Sequence, residues 1–374
     1  MPRAISRAGV RIVLLSLLSW SISATYAEDA LLMPLADRSL LLDIVAVDDR
    51  LVAVGERGHI LVSTDTGWEQ SRVPTRQMLT AVHFVDARRG WAVGHDGLIL
   101  MTSNGGLEWS RQYDGLALQT AYNRSQLQSL NGRRKTLEQN VAGAESAEDR
   151  ARLLTALEVL QLDIEDAEYA LAEPPQTPPL LDVWFRDALC GYAVGAFGTL
   201  LITDDGGVSW IRAGDRLEND QQMHLNGVVG DGLGSVWIAA ESGLLFRSQD
   251  GGVSWVMLDS PYQGTFFGIA RAPESGRLIV YGLRGNAFYS DDSGDSWQRS
   301  NTPTDRSIAG GRWLNDRFVV LVGNVGSLLI SRDGGVNFSD RSLPGRLNLS
   351  AVAMRRGHLI VVGQGGIYQP ESIE

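Results

Sequence analysis

From residue 79 to residue 114 four short apolar runs follow one another, LTAVHFVD, RGWAVG, GLILMTS and WSRQYD, set apart by Gly, Asp and Asn. Runs rich in β-branched and aromatic residues at this spacing predict four short strands joined by tight turns. The unit recurs. Its WAVG-like run ends on a small residue at Gly55, Gly94, Gly195, Ala240, Gly282, Gly323 and Gly363, and five of the six gaps between these anchors lie between 39 and 45 residues. A four-stranded repeat of about 40 residues predicts a β-propeller blade, so seven units predict an all-β, seven-bladed β-propeller. One blade alone leaves both apolar faces uncovered, and stability has to come from stacking round a ring.

The polar positions repeat as well. TSNGGLEW (Thr102–Trp109), TDDGGVSW (Thr203–Trp210), SQDGGVSW (Ser248–Trp255), SDDSGDSW (Ser290–Trp297) and SRDGGVNF (Ser331–Phe338) share the Asp-box pattern, Ser/Thr-x-Asp-x-Gly-x-x-Trp/Phe. Short Asp and Ser side chains bond to backbone N–H groups within a tight turn, and glycine supplies a backbone angle other residues resist. The aromatic ring can cover the turn. Asp65, Asn104, Asp205, Asp250, Asp292 and Asp333 are therefore expected to hold turns, with Trp109, Trp210, Trp255, Trp297 and Phe338 as their covers. The first copy, STDTGW (Ser63–Trp68), lacks two residues.

The sixth gap, Gly94 to Gly195, spans 101 residues and has a different period. Leu153, Leu157, Leu160, Ile164, Ala167 and Leu171 recur at alternating steps of four and three, a helical seam. Ser146 followed by Asp149 forms a capping box, EPPQTPP (Glu173–Pro179) stops the helix, and Leu127, Leu130, Leu137 and Val141 mark a weaker stripe before Gly143. The spacing predicts an α-helical hairpin over 116–180, inserted between blades two and three. Blades one and two then occupy 28–115, and blades three to seven occupy 181–374. The last unit stops one strand short, so Leu31–Ser39 is expected to supply the outermost strand of blade seven and remove an open edge.

Strands of a blade alternate in direction, which puts the second-to-third-strand turns on the same face as the hairpin. These are the Gly-x-x-Gly turns, presenting Glu56, Arg57, His95, Asp96, Phe197, Arg284 and Asn324. Loops on a rigid scaffold are where binding residues concentrate. Arg57, His95, Asp96, Phe197, Arg284 and Asn324 are the candidate partner-binding face.

Composition narrows the partners. Three arginines, Arg3, Arg7 and Arg11, precede an apolar run, Ile12–Ile22, and small residues before Glu28, the layout of a secretory signal over 1–27. Its removal takes the net charge from −11 to −14, which disfavours nucleic acid and anionic lipid surfaces. The one cysteine, Cys190, forms no internal disulfide and lies far from any lipidation position at the leader. His59, His83, His95, His224 and His358 have no ligand spacing, so no metal is expected. GVVGDGLG (Gly227–Gly234) lacks a phosphate loop's Lys-Ser/Thr, so neither a cofactor nor a small-molecule ligand is expected.

The seven-unit count, RGWAVG-x-x-G-x-I/L-L (Arg89–Leu100) and GYAVGAFGTLLITDDGGVSW (Gly191–Trp210) resemble the photosystem II stability and assembly factors and their bacterial relatives. The resemblance covers nearly the whole mature chain except the hairpin. It implies a non-enzymatic, exported, periplasmic scaffold or assembly factor whose partner is a protein, an integral membrane complex. Relatives outside photosynthesis suggest a role beside export pumps of the inner membrane. Asp boxes also occur in sialidases, the rival reading; such an enzyme needs clustered arginines and a Tyr–Glu pair, and Arg57 and Arg284 are its candidates for convergence across the ring.

Overall fold

The computed structural model describes residues 29–370; the leader expected over 1–27 lies outside the described residues. Six four-stranded antiparallel sheets and one three-stranded sheet follow one another along the chain, each built from consecutive strands. In the second sheet these are Leu79–Phe84, Gly90–Gly94, Leu98–Thr102 and Ser110–Tyr113. The first strand of each sheet touches the first strand of the next, and Leu41–Val47 of the first sheet touches Leu349–Arg355 of the seventh. The strands therefore surround a common channel, an arrangement of propeller type.

The core is divided as that arrangement requires. Seven apolar clusters lie between successive sheets, the last one joining the seventh to the first. Between the second and third sheets Trp91 stacks flat on Phe185 with ring centroids 3.5 Å apart, and Trp210 meets Phe185 edge-on. Both Trp91 and Phe185 are fully buried, so each sheet's inner apolar face is covered by its neighbour.

All seven first strands carry a bulge at their second residue. A bulge re-aims the extra side chain. Here the extra residues are Leu42, Thr80, Leu181, Asn226, Phe267, Ala309 and Ser350, and all seven line the central channel.

The fourth strand expected from Leu31–Ser39 is not formed. The seventh sheet has three strands, ending at Gly366–Tyr368, and the N-terminal segment makes a 3-10 turn at Ala36–Arg38 instead. Pro34 has no N–H to give to a ladder. The Gln70 side chain accepts from Met33 N at 2.8 Å and donates to Leu31 O at 2.8 Å, which holds this stretch against the first sheet. The turn still bridges the join, because Ala36 is buried among residues of both sheets and a Cβ on Gly366 would strike the Asp37 carbonyl.

Arginines complete that join. Arg355 donates to Asp49 O at 2.6 Å and Thr64 O at 3.1 Å, and Arg356 pairs with the Asp49 carboxylate and with Asp65 at 3.1 Å. Asp65 thus reaches across to the seventh sheet, unlike the other Asp-box carboxylates described below.

Helices α1 (Gly115–Gly143) and α2 (Ala147–Ala172) lie between the second and third sheets in chain order. Asp114 caps α1 by accepting from Ala117 N, and Ser146 caps α2 by accepting from Asp149 N. The helices pack on each other through Leu160 and Ile164, both buried, flanked by half-buried Leu127, Leu130, Leu153 and Leu157.

Candidate functional site

The turns between second and third strands repeat one backbone shape. Their third residue is left-handed at Arg57, Asp96, Phe197, Ser242, Arg284 and Val325, with φ between 53° and 60°, and the glycine after it is also left-handed. Such φ values cost a bulky side chain energy that the surrounding turn has to offset. At this position Arg57, Phe197, Ser242 and Arg284 are exposed, while Asp96 and Val325 are half-buried. Arg57, His95, Phe197, Arg284 and Asn324 are exposed and Asp96 is half-buried, one turn to a sheet around one rim.

Helix α1 rises from this same rim. A Cβ on Gly115, its first residue, would meet Asp96 O at 2.5 Å and Gly97 Cα at 3.1 Å. The base of the hairpin is therefore seated on the second sheet's turn. Between it and the third sheet's turn opens a cleft of about 610 Å³ lined by Tyr113, Thr177, Phe197, Arg212, Asp215 and Gln222 among others. Phe197 stands 60% exposed at its edge and meets His224 edge-on at 5.1 Å. Thr177 Oγ1, enclosed in its wall, has no hydrogen-bond partner. Its walls are about equally polar and apolar, with Arg212, Asp215, Asn219, Asp220 and Gln222 beside Leu180, Phe197, Leu200 and Leu217, a mixed lining that offers both hydrogen bonds and apolar contact to a peptide segment.

The channel holds a polar cluster that sequence reasoning missed. Asp43 accepts from Ile44 N and, across the gap, from Val82 N of the second sheet, each at 2.8 Å. Asp182 does the same one pair of sheets further on, accepting from Val183 N and Val228 N at 2.8 Å. Thr80 donates to Leu180 O, Asn226 donates to Phe266 O, and His83 Nε2 lies 3.0 Å from Phe185 O. These bonds staple the inner strands of neighbouring sheets. Burial pushes the Asp43 carboxyl up and drives Asp182 to about 7, while His83 is held down at about 4. Arg312 is the sole arginine of the lining, and its guanidinium reaches Ile44 O at 3.3 Å. The repeated LLD of Leu41–Asp43 and Leu180–Asp182 was the available signal for this device.

On the opposite rim the Asp boxes share one hydrogen-bond set. Thr203 Oγ1 donates to Asp205 and accepts from Gly207 N, and Asp205 accepts from Ser209 N and Ser209 Oγ. Asp250, Asp292 and Asp333 make the matching bonds with Ser254, Ser296 and Asn337, and Asn104 accepts from Glu108 N. The bonds from Ser209, Ser254 and Ser296 hold Asp205, Asp250 and Asp292 at about 2. Trp109 is buried and donates to Gly106 O, Trp255 and Phe338 are buried, and Trp297 and Trp210 pack against neighbouring clusters. These acids stand one to a sheet around the rim. Arg57 and Arg284 do not join Arg312 in the channel lining, where no clustered arginines of the sialidase kind stand.

Solved structures share the fold. YCF48 bound to a D1 peptide superposes with a TM-score of 0.61 at 15% identity, covering 94% of this chain and 97% of that one. YCF48 from Cyanidioschyzon merolae gives 0.56 at 17% identity, covering 91% and 98%. The WD40 β-propeller domain of Doa1 gives 0.59 at 11% identity, covering 92% and 95%. In sequence, the photosystem II assembly lipoprotein Ycf48 of Synechococcus sp. (strain CC9902) is 29% identical over 157 residues, which is 41% of this chain and 46% of that protein. The chain thus aligns with less than half the length of that relative. Residues 44–138 and 164–301 match the model of the family described as photosynthesis system II assembly factor YCF48, leaving 139–163 of the hairpin and 302–374, which hold the sixth and seventh sheets, unmatched. With more than half of its length matched, the chain belongs to the photosynthesis system II assembly factor YCF48 family.

Proposed function

We propose that this chain is a non-catalytic, exported scaffold or assembly factor that binds a membrane-protein complex through the rim carrying the hairpin. The seven sheets act as seven blades of one closed wheel, with the hairpin inserted between blades two and three. The observation that carries the reading is Phe197, a strained, 60% exposed aromatic at the mouth of the cleft beside the hairpin base. Exposed aromatics beside a preformed cleft are the side chains that anchor protein interfaces. A solved neighbour of the same fold is bound to a peptide, which supports a protein segment as the occupant. The relative from Synechococcus is a lipoprotein; here the one cysteine, Cys190, sits within the third sheet's first turn.

A role beside an inner-membrane export pump and a role in photosystem assembly share this chemistry and differ in the partner. Replacing 116–180 by a short linker and recovering bound proteins from the periplasmic face tests the assignment. Loss of a membrane-protein partner is expected, and an unchanged partner set would remove the arm from the mechanism.

A further inference from the structure

The cleft beside the hairpin base has an electrical sign. Its lining holds one basic side chain, Arg212, and two acidic ones, Asp215 and Asp220, all three exposed. Among the described residues none of the three has a hydrogen-bond or ion-pair partner for its side chain. The chain at the cleft's edges is acidic as well. Glu173 ends α2, Glu218 lies between the lining residues Leu217 and Asn219, and Glu241 stands 3.9 Å from His224, the ring that Phe197 meets. Arg216, the other cation of that loop, donates to Gly252 O at 2.8 Å. Elsewhere the same rim presents arginines, Arg57 and Arg284, and Glu56 of the first turn accepts from Leu40 N. The negative charge is therefore local to the cleft, whose walls concentrate its field.

The cation of a peptide side chain fits this lining better than a metal ion does. Among the described residues no three acidic, histidine or cysteine side chains converge as metal ligands would. Aromatic rings stand with the acids instead: Phe197 at the edge, 60% exposed, and Tyr113 in the wall. Lysine and arginine are attracted to the face of such a ring within about 6 Å of its centre. Thr177 Oγ1, enclosed in the wall without a partner, and the unpaired Arg212 guanidinium remain to bond the backbone groups of an extended segment. The volume of about 610 Å³ is within the range of binding clefts.

We propose that the cleft takes an extended, basic segment of the partner protein: a lysine or arginine of that segment pairs with Asp215 or Asp220, and Phe197 offers its ring at the cleft's edge. This names the chemistry of the partner proposed above and rests on that reading of the rim. Complementary charge sets which segment enters and how fast it arrives, while the aromatic contact and the Thr177 hydroxyl hold it in place. The arginines of the first and fifth turns repel the same segment, so the rim itself directs it to the side of the hairpin.

An array of end-blocked random nonapeptides, probed with the exported chain, tests it. The retained peptides should be enriched in Lys and Arg and depleted of Asp and Glu. Fluorescence anisotropy with the best of them should show binding weakened about tenfold or more by Asp215→Lys/Asp220→Lys, and about threefold by Phe197→Leu, which keeps an apolar side chain and removes the ring. Glu158→Lys/Asp166→Lys on α2 changes the net charge equally and should leave binding unchanged, with circular dichroism the same for every variant. No enrichment, an acidic enrichment, or equal loss in both charge reversals would overturn the proposal. Loss of the membrane-protein partner on removing 116–180, found together with no basic preference on the array, would overturn the cleft chemistry and leave the rim reading standing.

Discussion

Replacing Asp182 with Asn separates two effects that the channel sets against each other. The carboxylate accepts from Val183 N and Val228 N, and an amide in its place offers an N–H to one of them. One buried donor is left unsatisfied, at about 1–3 kcal/mol. Against this stands the cost of ionising a carboxyl enclosed in the ring, whose burial carries it from 3.8 to about 7. The sign follows from the protons. Between those values the folded state holds a proton that the unfolded state has released, so stability falls as pH rises through the window and levels off above pH 7. At about 1.4 kcal/mol for each tenfold, the native chain loses about 3 kcal/mol between pH 4.5 and 7.5 through this group, and the Asn variant does not. The variant should be the less stable protein at pH 4.5 and draw level with or overtake the native one at pH 7.5. Asp43, His83 and Arg312 are present in both chains and cancel to first order. Urea unfolding followed by tryptophan fluorescence at four pH values measures the difference. A stability difference that stays constant from pH 4.5 to 7.5 would refute the assignment of this buried proton.

Asp250→Ala removes bonds from Ser254 and Ser248 in a solvated turn and should cost about 1 kcal/mol, while Asp250→Asn should cost less, because Asn104 already fills the same place in the second sheet; denaturant midpoints compare them. The depressed carboxyls of Asp205, Asp250 and Asp292 stabilise the fold above pH 4 and lose that contribution as pH falls toward 2, so acid unfolding should steepen there. Arg355→Ala should loosen the join of the seventh and first sheets, visible as faster amide exchange in Leu349–Arg355 and Leu41–Val47 than in the fifth sheet. Phe185→Ala, which strips the Trp91 stack, should cost about 3–5 kcal/mol by thermal unfolding.

The propeller class and the family were legible in the sequence because the blade period is local: each anchor glycine marks a tight turn that recurs at nearly constant spacing. The helical seam was equally plain, since Leu153 to Leu171 keep a period that no strand shares. The closing strand was not legible. The last unit stops one strand short, which suggested a fourth strand from Leu31–Ser39; Pro34 was a visible warning against it, whereas the Gln70 side chain that holds the stretch as a turn acts only once the first sheet is in place. Asp65 misled for a similar reason. Its motif resembles the other boxes, yet the two absent residues remove the turn that the carboxylate would bond, and it pairs with Arg356 far along the chain. The channel acids went unread because their partners, Val82 and Val228, are backbone groups of the next sheet, which leave no mark of residue type.

The central claim is that one rim of the ring, the rim with the hairpin, engages a protein partner. A photo-crosslinking residue placed at Phe197 and, separately, at Val253 on the opposite rim, activated in living cells, tests this most directly. The account predicts a crosslink to a membrane protein from position 197 and none from position 253. A crosslink from position 253 alone, or equal crosslinks from both, would contradict it.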